Sequence, residues 1–471
     1  MWGFSGCKNQ PGEKEPNIIL FLADDLGYND LTCYRQDHPG ASDMPPTAQT
    51  PHIDRLAEEG LRFTQFYCGA AVCSPSRSAL LTGRNATRVG IYNWIPHQSP
   101  MHLRSQEVTL AELLKNKNYQ TAHFGKWHLT SPGTDQPLPN DQGYDYSFFT
   151  YNNARPSHRN PHNFYRNGEP VGQLEGFACQ LVVDEALQWL DQRSSPSEPY
   201  CINIWFNEPH EKVDAPDSLV RRHSYRKKYY GSIENMDLAV GRVLEYLENH
   251  PAERETVVIF SSDNGSQENG SNDPLRGEKA FNYEGGVRVP FIIRFPGVTR
   301  AGTLSETPGS FTDLLPTLAE ITGIPLPEDR TIDGTSLVPV LTDRDTAVER
   351  NHPIVFYRYF HDPILMMRDG DWCLLGYQKP LPYAESYNEI ELALIQPDSG
   401  EPRWSQWGFQ SGHMEFIRNQ EPACFELYNL RSDPSQRNDL SGEEPGRVER
   451  MKQQMMKLRN EMLEEGGDWF K

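Results

Sequence analysis

A single cysteine stands at the start of a predicted helix. Ser74 followed by Pro75 is a typical helix start, with the serine as N-cap, and Gly83 is a typical helix end. Cys73 would then lie where free backbone N–H groups and the helix dipole favour an anion, and Arg77, one turn further on, would add a full positive charge. These residues alone leave two interpretations open, a structural cysteine or a position beside an anion-binding site.

Neighbouring oxygen-bearing side chains follow two of the predicted strands. A continuous apolar run ends in Asp24 and Asp25, and a second such run leads into Asp263 and Asn264. Adjacent carboxylates at the end of a core strand are costly unless a cation or hydrogen-bond donors balance them. In open α/β sheets ligands bind at this end. Four hard oxygen donors suit Ca²⁺ or Mg²⁺, and helix caps or solvated side chains are the alternative.

Cationic and imidazole side chains occur at three further places. In an extended segment Lys126 and His128 would share one face. His210 follows another predicted strand, and Lys279 lies in a loop flanked by glycines. Each of these residues could be an ordinary surface or loop residue, but together they suit a negatively charged group.

Five motifs in order along the chain resemble the type I sulfatases, members of the alkaline-phosphatase superfamily. The motifs are Cys73-Ser-Pro-Ser-Arg77 with Leu81-Thr-Gly-Arg84, Gly125-Lys-Trp-His-Leu129, Asp24-Asp25, Ser262-Asp-Asn-Gly265, and Lys279 ahead of Glu284-Gly-Gly286. The resemblance runs from about residue 16 to 341, with a weaker match in 426–434. Within the family the pattern is most similar to members of the N-acetylgalactosamine-6-sulfatase and arylsulfatase A type.

The resemblance implies a modified nucleophile and a bound metal ion. Cys73 would be oxidised to formylglycine by a formylglycine-generating or anaerobic sulfatase-maturating enzyme, and the aldehyde hydrate would be the nucleophile. One Ca²⁺ would be held by Asp24, Asp25, Asp263 and Asn264, together with the hydrate oxygen at position 73. A geminal diol suits this chemistry because its second hydroxyl expels sulfate by carbon–oxygen cleavage, whereas a serine would leave a stable ester.

The resemblance also implies roles for the remaining site residues. Arg77 and Lys126 would steady the hydrate and the sulfate. His128 would take the proton that lets the covalent sulfate hemiacetal collapse. His210 and Lys279 would hold the sulfate and protonate the departing alcohol. The charge on a sulfate monoester repels nucleophiles, so a dication and several cationic side chains around it agree with the residue types.

The predicted function is hydrolysis of the sulfate ester of a sulfated carbohydrate. A glycosaminoglycan-type or other sulfated glycan is expected, such as a 6-O-sulfated N-acetylhexosamine, because the loop 151–168 is rich in Tyr, Asn, His and Arg. Thr130 and Glu211-Lys212 depart from the usual family pattern on the substrate side. The alternatives are an aryl sulfatase, a phosphonate or phosphodiester hydrolase on the same scaffold, and a Ca²⁺-binding glycan-recognition protein without catalysis.

The 471 residues predict an α/β fold with a large, mainly parallel, doubly wound sheet flanked by helices. Residues 16–345 would form the catalytic domain and 346–471 a smaller C-terminal α+β subdomain. The net charge of −20 argues against nucleic acid as a partner. The sequence contains no run of 18 apolar residues, so no transmembrane segment is predicted.

The first residues contain a second cysteine of interest. The eight cysteines include no CxxC pair, which argues against a structural zinc site. Phe4-Ser5-Gly6-Cys7 resembles the end of a bacterial lipoprotein signal, so we interpret 1–15 either as an export or lipoprotein remnant, with a lipid anchor at Cys7, or as a disordered tail. A periplasmic, cell-surface or secreted protein is expected.

Overall fold

The computed structural model describes the chain in several stretches, and two β-sheets occur in them. The described residues are 15–36, 47–193, 195, 197–250, 255–267, 270–344, 347–359, 361–378, 409 and 411–471. The interpretation of Cys7 as a lipid anchor, and with it export, lies outside these residues and stays a prediction.

The strands and helices alternate through most of the chain. The strands are β1 (Asn17–Asp24), β2 (Leu61–Tyr67), β3 (Gln120–Lys126), β4 (Tyr146–Thr150), β5 (Tyr165–Arg166), β6 (Glu169–Pro170), β7 (Tyr200–Pro209), β8 (Thr256–Ser262), β9 (Arg288–Arg294), β10 (Thr303–Ser305), β11 (Gly309–Ser310), β12 (Ile354–Tyr357), β13 (Leu365–Asp369), β14 (Trp372–Tyr377) and β15 (Cys424–Asn429). The α-helices are α1 (Thr32–Arg35), α2 (Pro51–Glu59), α3 (Cys73–Thr82), α4 (Ala86–Val89), α5 (Leu110–Lys115), α6 (Ala178–Asp191), α7 (Asp217–Val220), α8 (Lys227–Asn249), α9 (Glu284–Val287), α10 (Leu314–Thr322), α11 (Val338–Leu341), α12 (Ser411–Asn419) and α13 (Pro445–Gly466). Two 3₁₀-helices cover Pro139–Gln142 and Phe311–Asp313.

The large sheet has the strand order β10-β2-β9-β8-β1-β7-β3-β4-β5-β6, with β11 paired to β2. Strands β8, β1, β7, β3 and β4 are parallel neighbours, as predicted, whereas β9 is antiparallel to both β8 and β2. The sheet is therefore mixed. Strand β9 begins at the same end of the sheet at which its neighbour β8 finishes, so β9 runs in the opposite direction.

Strand β1 lies in the middle of this sheet and is buried on both faces. Leu20 belongs to a core shared with α3, α5 and α10, and the next residue, Phe21, to a core shared with α2, α6 and α8. Because neighbouring side chains of a strand point to opposite faces, an uninterrupted apolar run is needed to fill both layers. The predicted doubly wound α/β fold is confirmed.

Helix α3 begins two residues earlier than its sequence predicts. Val72 is the N-cap residue and Cys73 is the first residue of the helix, so the prediction of Ser74 as N-cap is wrong. The Ser74 hydroxyl is buried and accepts a hydrogen bond from the Ile95 backbone N–H (3.0 Å), because tertiary contact competes with capping. Gly83 ends the helix in the left-handed region, as predicted.

Strand β3 ends at Lys126, so the predicted alternation does not continue to His128. His128 has a φ of +56°, and its backbone N–H donates to the Tyr151 carbonyl (2.9 Å). The reason is local: Gly125, with a φ of +100°, packs against the backbone of Trp205 in the neighbouring strand β7. Because of this turn after β3, the side chains of Lys126 and His128 reach one site from different backbone positions.

The C-terminal part forms an antiparallel sheet of strand order β12-β13-β14-β15, on which α13 packs. This agrees with the predicted α+β region, and the boundary near residue 345 stays a prediction. Buried Arg84 and Arg88 form ion pairs with Glu465 of α13, and Arg88 also pairs with Asp333 (3.0 Å). The C-terminal helix is thereby joined to the segment that follows α3.

The helices that the structure describes include none with the length and apolarity needed to cross a membrane.

Replacement of Gly125 tests how closely β3 and β7 must approach. An added Cβ would lie 1.8 Å from the Trp205 carbonyl oxygen, so we expect Gly125→Ala to lower the free energy of unfolding by about 3 kcal/mol or more. Gly323→Ala is the matched control, since Gly323 also has a positive φ (+66°) but no heavy atom within 4 Å of the added Cβ. Its expected cost is about 1 kcal/mol. If urea denaturation showed an equal loss of unfolding free energy in the two variants, the steric explanation would be contradicted.

Candidate active site

The predicted site residues meet at the carboxyl edge of the large sheet. Asp24 ends β1 and Asp25 follows it, Asp263 follows the neighbouring strand β8, Lys126 ends β3, and His210 follows β7. Because these four strands are parallel neighbours, their last residues lie side by side. The fold also brings Lys279 to Asp25, which is 254 positions away in the chain.

Cys73 lies at the start of α3 and faces this edge. Its side chain is buried, and the Lys126 ammonium donates to its Sγ at 3.7 Å. Burial raises the pKa of the Cys73 thiol to about 12, although Lys126 and Lys279 oppose the shift. The unmodified side chain is therefore a neutral thiol at pH 7, not a thiolate.

Three carboxylates and three cationic side chains interlock around Cys73. Lys126 Nζ donates to Asp24 Oδ2 (2.6 Å), and Lys279 Nζ donates to Asp25 Oδ2 (2.6 Å). The third pair joins Arg77 to Asp263, with Nε and Nη2 donating to Oδ2 at 3.0 and 2.7 Å. Arg77 also donates to the Lys126 carbonyl (2.7 Å), which fixes the end of β3 beside α3.

The two histidines are neutral and have defined tautomers. Burial, assisted by the charges of neighbouring cations, holds the pKa values of His128 and His210 well below the ordinary value. The Lys279 ammonium donates to His210 Nε2 (2.9 Å), so Nδ1 carries the proton and donates to the Glu211 carbonyl (2.9 Å). His128 Nε2 donates to the Ile95 carbonyl (3.2 Å), which leaves Nδ1 as its basic nitrogen.

Four side chains at this edge are arranged as metal ligands. Ligand atoms of Asp24, Asp25, Cys73 and His210 all lie within 4.8 Å of one another. Asp24 Oδ1 and Asn264 Oδ1 are buried and have no hydrogen-bond partner among the described residues. A buried oxygen without a donor is unfavourable, and a cation between these oxygens would satisfy both. The oxygen donors of Asp24, Asp25 and Asn264 fit a hard divalent ion.

Asp263 and Asn264 hold the position of Asp25. The backbone N–H of Asp25 donates to Asp263 Oδ1 (3.2 Å), and the Asn264 amide nitrogen donates to Asp25 Oδ1 (2.7 Å). Burial and the nearby Asp24 raise the pKa of Asp263, whereas the ammonium groups of Lys279 and Lys126 lower the pKa of Asp25 against the effect of its burial. Asp263 is thus already engaged by Arg77 and by the Asp25 backbone, and Asn264 keeps its carbonyl oxygen available.

A cavity of about 410 Å³ opens onto these groups. It is lined by Val72, Cys73, Trp94, His128, Asn152, Asn153, Ala154, Arg155, Pro156, His210, Glu211, Lys212, Gln267, Lys279 and Arg358. Nine of the ten predicted site residues lie in the ion-pair network or line this cavity, and the tenth, Asn264, donates to Asp25 Oδ1. The sequence pattern marks the loop 151–168 as a whole and singles out neither Asn153, whose Oδ1 accepts from Lys126 Nζ (2.8 Å), nor Arg358 of the C-terminal region.

Two family models match the chain. One, described as Sulfatase, matches residues 16–324, and the other, described as N-sulphoglucosamine sulphohydrolase, C-terminal, matches residues 277–393.

Curated proteins and solved structures are also similar. N-acetylgalactosamine-6-sulfatase of Rattus norvegicus is 33% identical over 376 residues, covering 73% of this chain and 68% of the rat protein. An arylsulfatase of Hemicentrotus pulcherrimus is 31% identical over 385 residues, covering 76% of this chain and 67% of that protein. The crystal structure of Ps i-CgsB, also determined in complex with k-i-k-neocarrahexaose, superimposes with a TM-score of 0.76 at 25% identity and covers 95% of this chain and 93% of its own.

Alkylation tests the protonation state of Cys73 in unmodified, chelator-treated protein. At pH 8 a thiol with a pKa of about 12 has roughly 10³-fold less thiolate than an unperturbed cysteine, so iodoacetamide should label Cys73 very slowly. Cys424 is half-buried and serves as the internal control that should be labelled first. Peptide mass spectrometry gives the ratio of Cys73 labelling to Cys424 labelling. Labelling of Cys73 ahead of Cys424 would contradict the assignment.

Proposed function

The chain belongs to the sulfatase family, whose members are sulfuric ester hydrolases. From this membership we propose that it removes sulfate from a sulfated saccharide. The observation that carries the proposal is the position of Cys73 in the first turn of α3, between the Asp24–Lys126 pair and the open cavity. A sulfate group entering the cavity would meet this position together with the cationic groups that offset its charge.

We propose that Cys73 acts after oxidation to formylglycine, the modification that members of the family use. The protonated, buried thiol is a poor nucleophile, which agrees with a role as precursor. The hydrated aldehyde carries two hydroxyl groups, one to attack the sulfur and one to release sulfate afterwards. A formylglycine-generating or anaerobic sulfatase-maturating enzyme is the implied partner.

Ca²⁺ is the proposed metal ion, held by Asp24, Asp25, Asp263, Asn264 and the modified residue 73. The buried Asp24 and Asn264 oxygens without donors support this ligand set. When bound, the ion polarises a sulfate oxygen and favours the ionised form of the nucleophile.

The remaining residues have roles that follow from their partners. Arg77 fixes Asp263 and the end of β3, and Lys126 places a positive charge beside residue 73. His128, neutral with a basic Nδ1, can accept the proton that lets sulfate leave. Lys279 and His210 share a hydrogen bond at the cavity, where one proton can pass to the departing alcohol.

The cavity lining supports a saccharide as the substrate. Trp94 presents an aromatic ring, and Asn152 and Asn153 present amide groups, a combination that suits the apolar face and the hydroxyls of a sugar. The N-acetylgalactosamine-6-sulfatase relatives and the oligosaccharide complex of Ps i-CgsB favour a sulfated glycan over a simple aryl sulfate. A 6-O-sulfated N-acetylhexosamine is the first substrate to test.

Removal of single oxygen ligands tests the metal site independently of turnover. In unmodified protein we expect Asp24→Asn and Asn264→Ala each to weaken Ca²⁺ binding by about 100-fold or more in calorimetric titration, because each removes a buried donor. Asp329→Asn, which alters an exposed carboxylate paired with Arg330, is the control and should bind as the parent does. Unchanged affinity in both site variants would contradict the ligand set.

The reaction is tested on protein coexpressed with a formylglycine-generating enzyme. Mass spectrometry of the peptide containing Cys73 should show CH₂SH replaced by CHO. This protein should release sulfate from N-acetylhexosamine 6-sulfate, and Cys73→Ala should reduce the rate by roughly 10⁴-fold or more. Faster hydrolysis of an aryl phosphonate than of any sulfate ester, with the modification confirmed, would overturn the proposed function in favour of a phosphonate hydrolase.

A further inference from the structure

The cavity is rich in cations although the chain is strongly acidic. The protein has a net charge of −20, yet among the described residues lining the cavity Glu211 is the one acidic side chain. Beyond Lys279 and the histidines, the lining includes Arg155, Lys212 and Arg358. At physiological ionic strength charges more than about 8 Å away are largely screened, so these local cations decide which ligand is attracted.

Arg155 and Lys212, here called the cationic rim, are not neutralised within the described chain. Neither side chain forms an ion pair with an acidic residue that the structure describes, and both are exposed. By contrast Lys126 and Lys279, deeper in the site, each contact an aspartate at 2.6 Å. The positive charge of the rim is therefore additional to what the metal site and one sulfate group require.

The backbone holds the two rim residues in place. The Arg155 N–H donates to Asn163 Oδ1 (2.8 Å), and the Arg155 carbonyl accepts from the His162 N–H (2.9 Å). The Lys212 carbonyl accepts from the His158 N–H (3.3 Å), so the two segments that carry the rim are joined directly. Two exposed cations on connected segments at one cavity mouth differ from isolated surface charges.

From these observations we propose that the cationic rim binds a second anionic group of the substrate, a carboxylate or another sulfate. This group lies on the sugar adjacent to the one that carries the scissile ester. The inference rests on the proposed function and narrows its substrate to doubly anionic saccharides. The cavity volume of about 410 Å³ exceeds the needs of a single sulfate group, so a sugar residue can extend from Cys73 towards the rim. An arginine beside a lysine suits either anion, because guanidinium binds carboxylate or sulfate oxygens in pairs.

General attraction of anions is the competing explanation for the rim. Electrostatic steering would raise the association rate of every anionic substrate and would decline with salt for all of them. A binding site for a second anion would instead change the preference between substrates that share the same scissile sulfate. Because steering also favours a substrate of higher charge, the two explanations are separated by KM ratios measured at high ionic strength, where steering is largely screened.

The experiment uses formylglycine-containing protein and three disaccharides that share one 6-sulfated N-acetylhexosamine. The neighbouring sugar is neutral in the first, carries a carboxylate in the second and carries a second sulfate in the third. We expect the parent protein to have a lower KM for one or both doubly anionic disaccharides, and the better of the two identifies the second anion. Lys212→Gln and Arg155→Gln should each reduce this preference about threefold, and the double variant about tenfold.

Lys457→Gln is the matched control, because Lys457 is an exposed lysine of α13 that does not line the cavity. Its KM ratio should equal that of the parent. The inference is overturned if the parent protein does not distinguish the three disaccharides at high ionic strength, or if the rim variants leave its KM ratios unchanged. Failure of the parent protein to release sulfate from any disaccharide or from an aryl sulfate would instead refute the proposed function, and this inference with it.

Discussion

The burial of several carboxylates at the ends of adjacent parallel strands is the constraint on which the site depends. Asp24, Asp25 and Asp263 are all withdrawn from water, and such charges are stable only where cations lie in contact with them. Lys126, Lys279 and Arg77 meet this need within the described chain. Any ligand of this site must fit into an arrangement of charges that already lies close to balance.

The same charge pairs explain why parts of the chain far from the cavity matter to it. Lys279 lies in a loop that is held from both sides. Next to it the Ala280 N–H donates to the Ala71 carbonyl just before α3 (2.8 Å), and Asn282 donates to the Pro363 carbonyl of the C-terminal region (3.0 Å).

A second connection runs from the end of this loop to the C-terminal sheet. Glu284 accepts a hydrogen bond from the Tyr67 hydroxyl, which in turn contacts Arg368 of β13. The C-terminal sheet thus supports the position of Lys279 as well as lining the cavity through Arg358.

An acidic protein with a cationic cavity can attract anions locally without binding nucleic acid generally. The net charge of −20 keeps the outer surface unfavourable for polyanions, while screening confines the attraction to the mouth of the cavity. Membership of the sulfatase family agrees with this distribution, since the reacting group is itself an anion. The neutral histidines can accept protons, and they add no charge to the buried part of the site until they do so.

The sequence by itself determined the α/β fold and the residues that gather at one edge. It could do so because apolar runs mark buried strands, and because parallel strands place their last residues together. Only the tertiary structure decided that α3 starts at Cys73, that β9 runs antiparallel, and that Asp263 is engaged by Arg77. The same is true of Asn153 and Arg358, which reach the cavity from a loop and from a separate sheet. Local periodicity specifies which face of an element is buried, but contacts between distant segments depend on how the chain packs, and no short-range pattern records them.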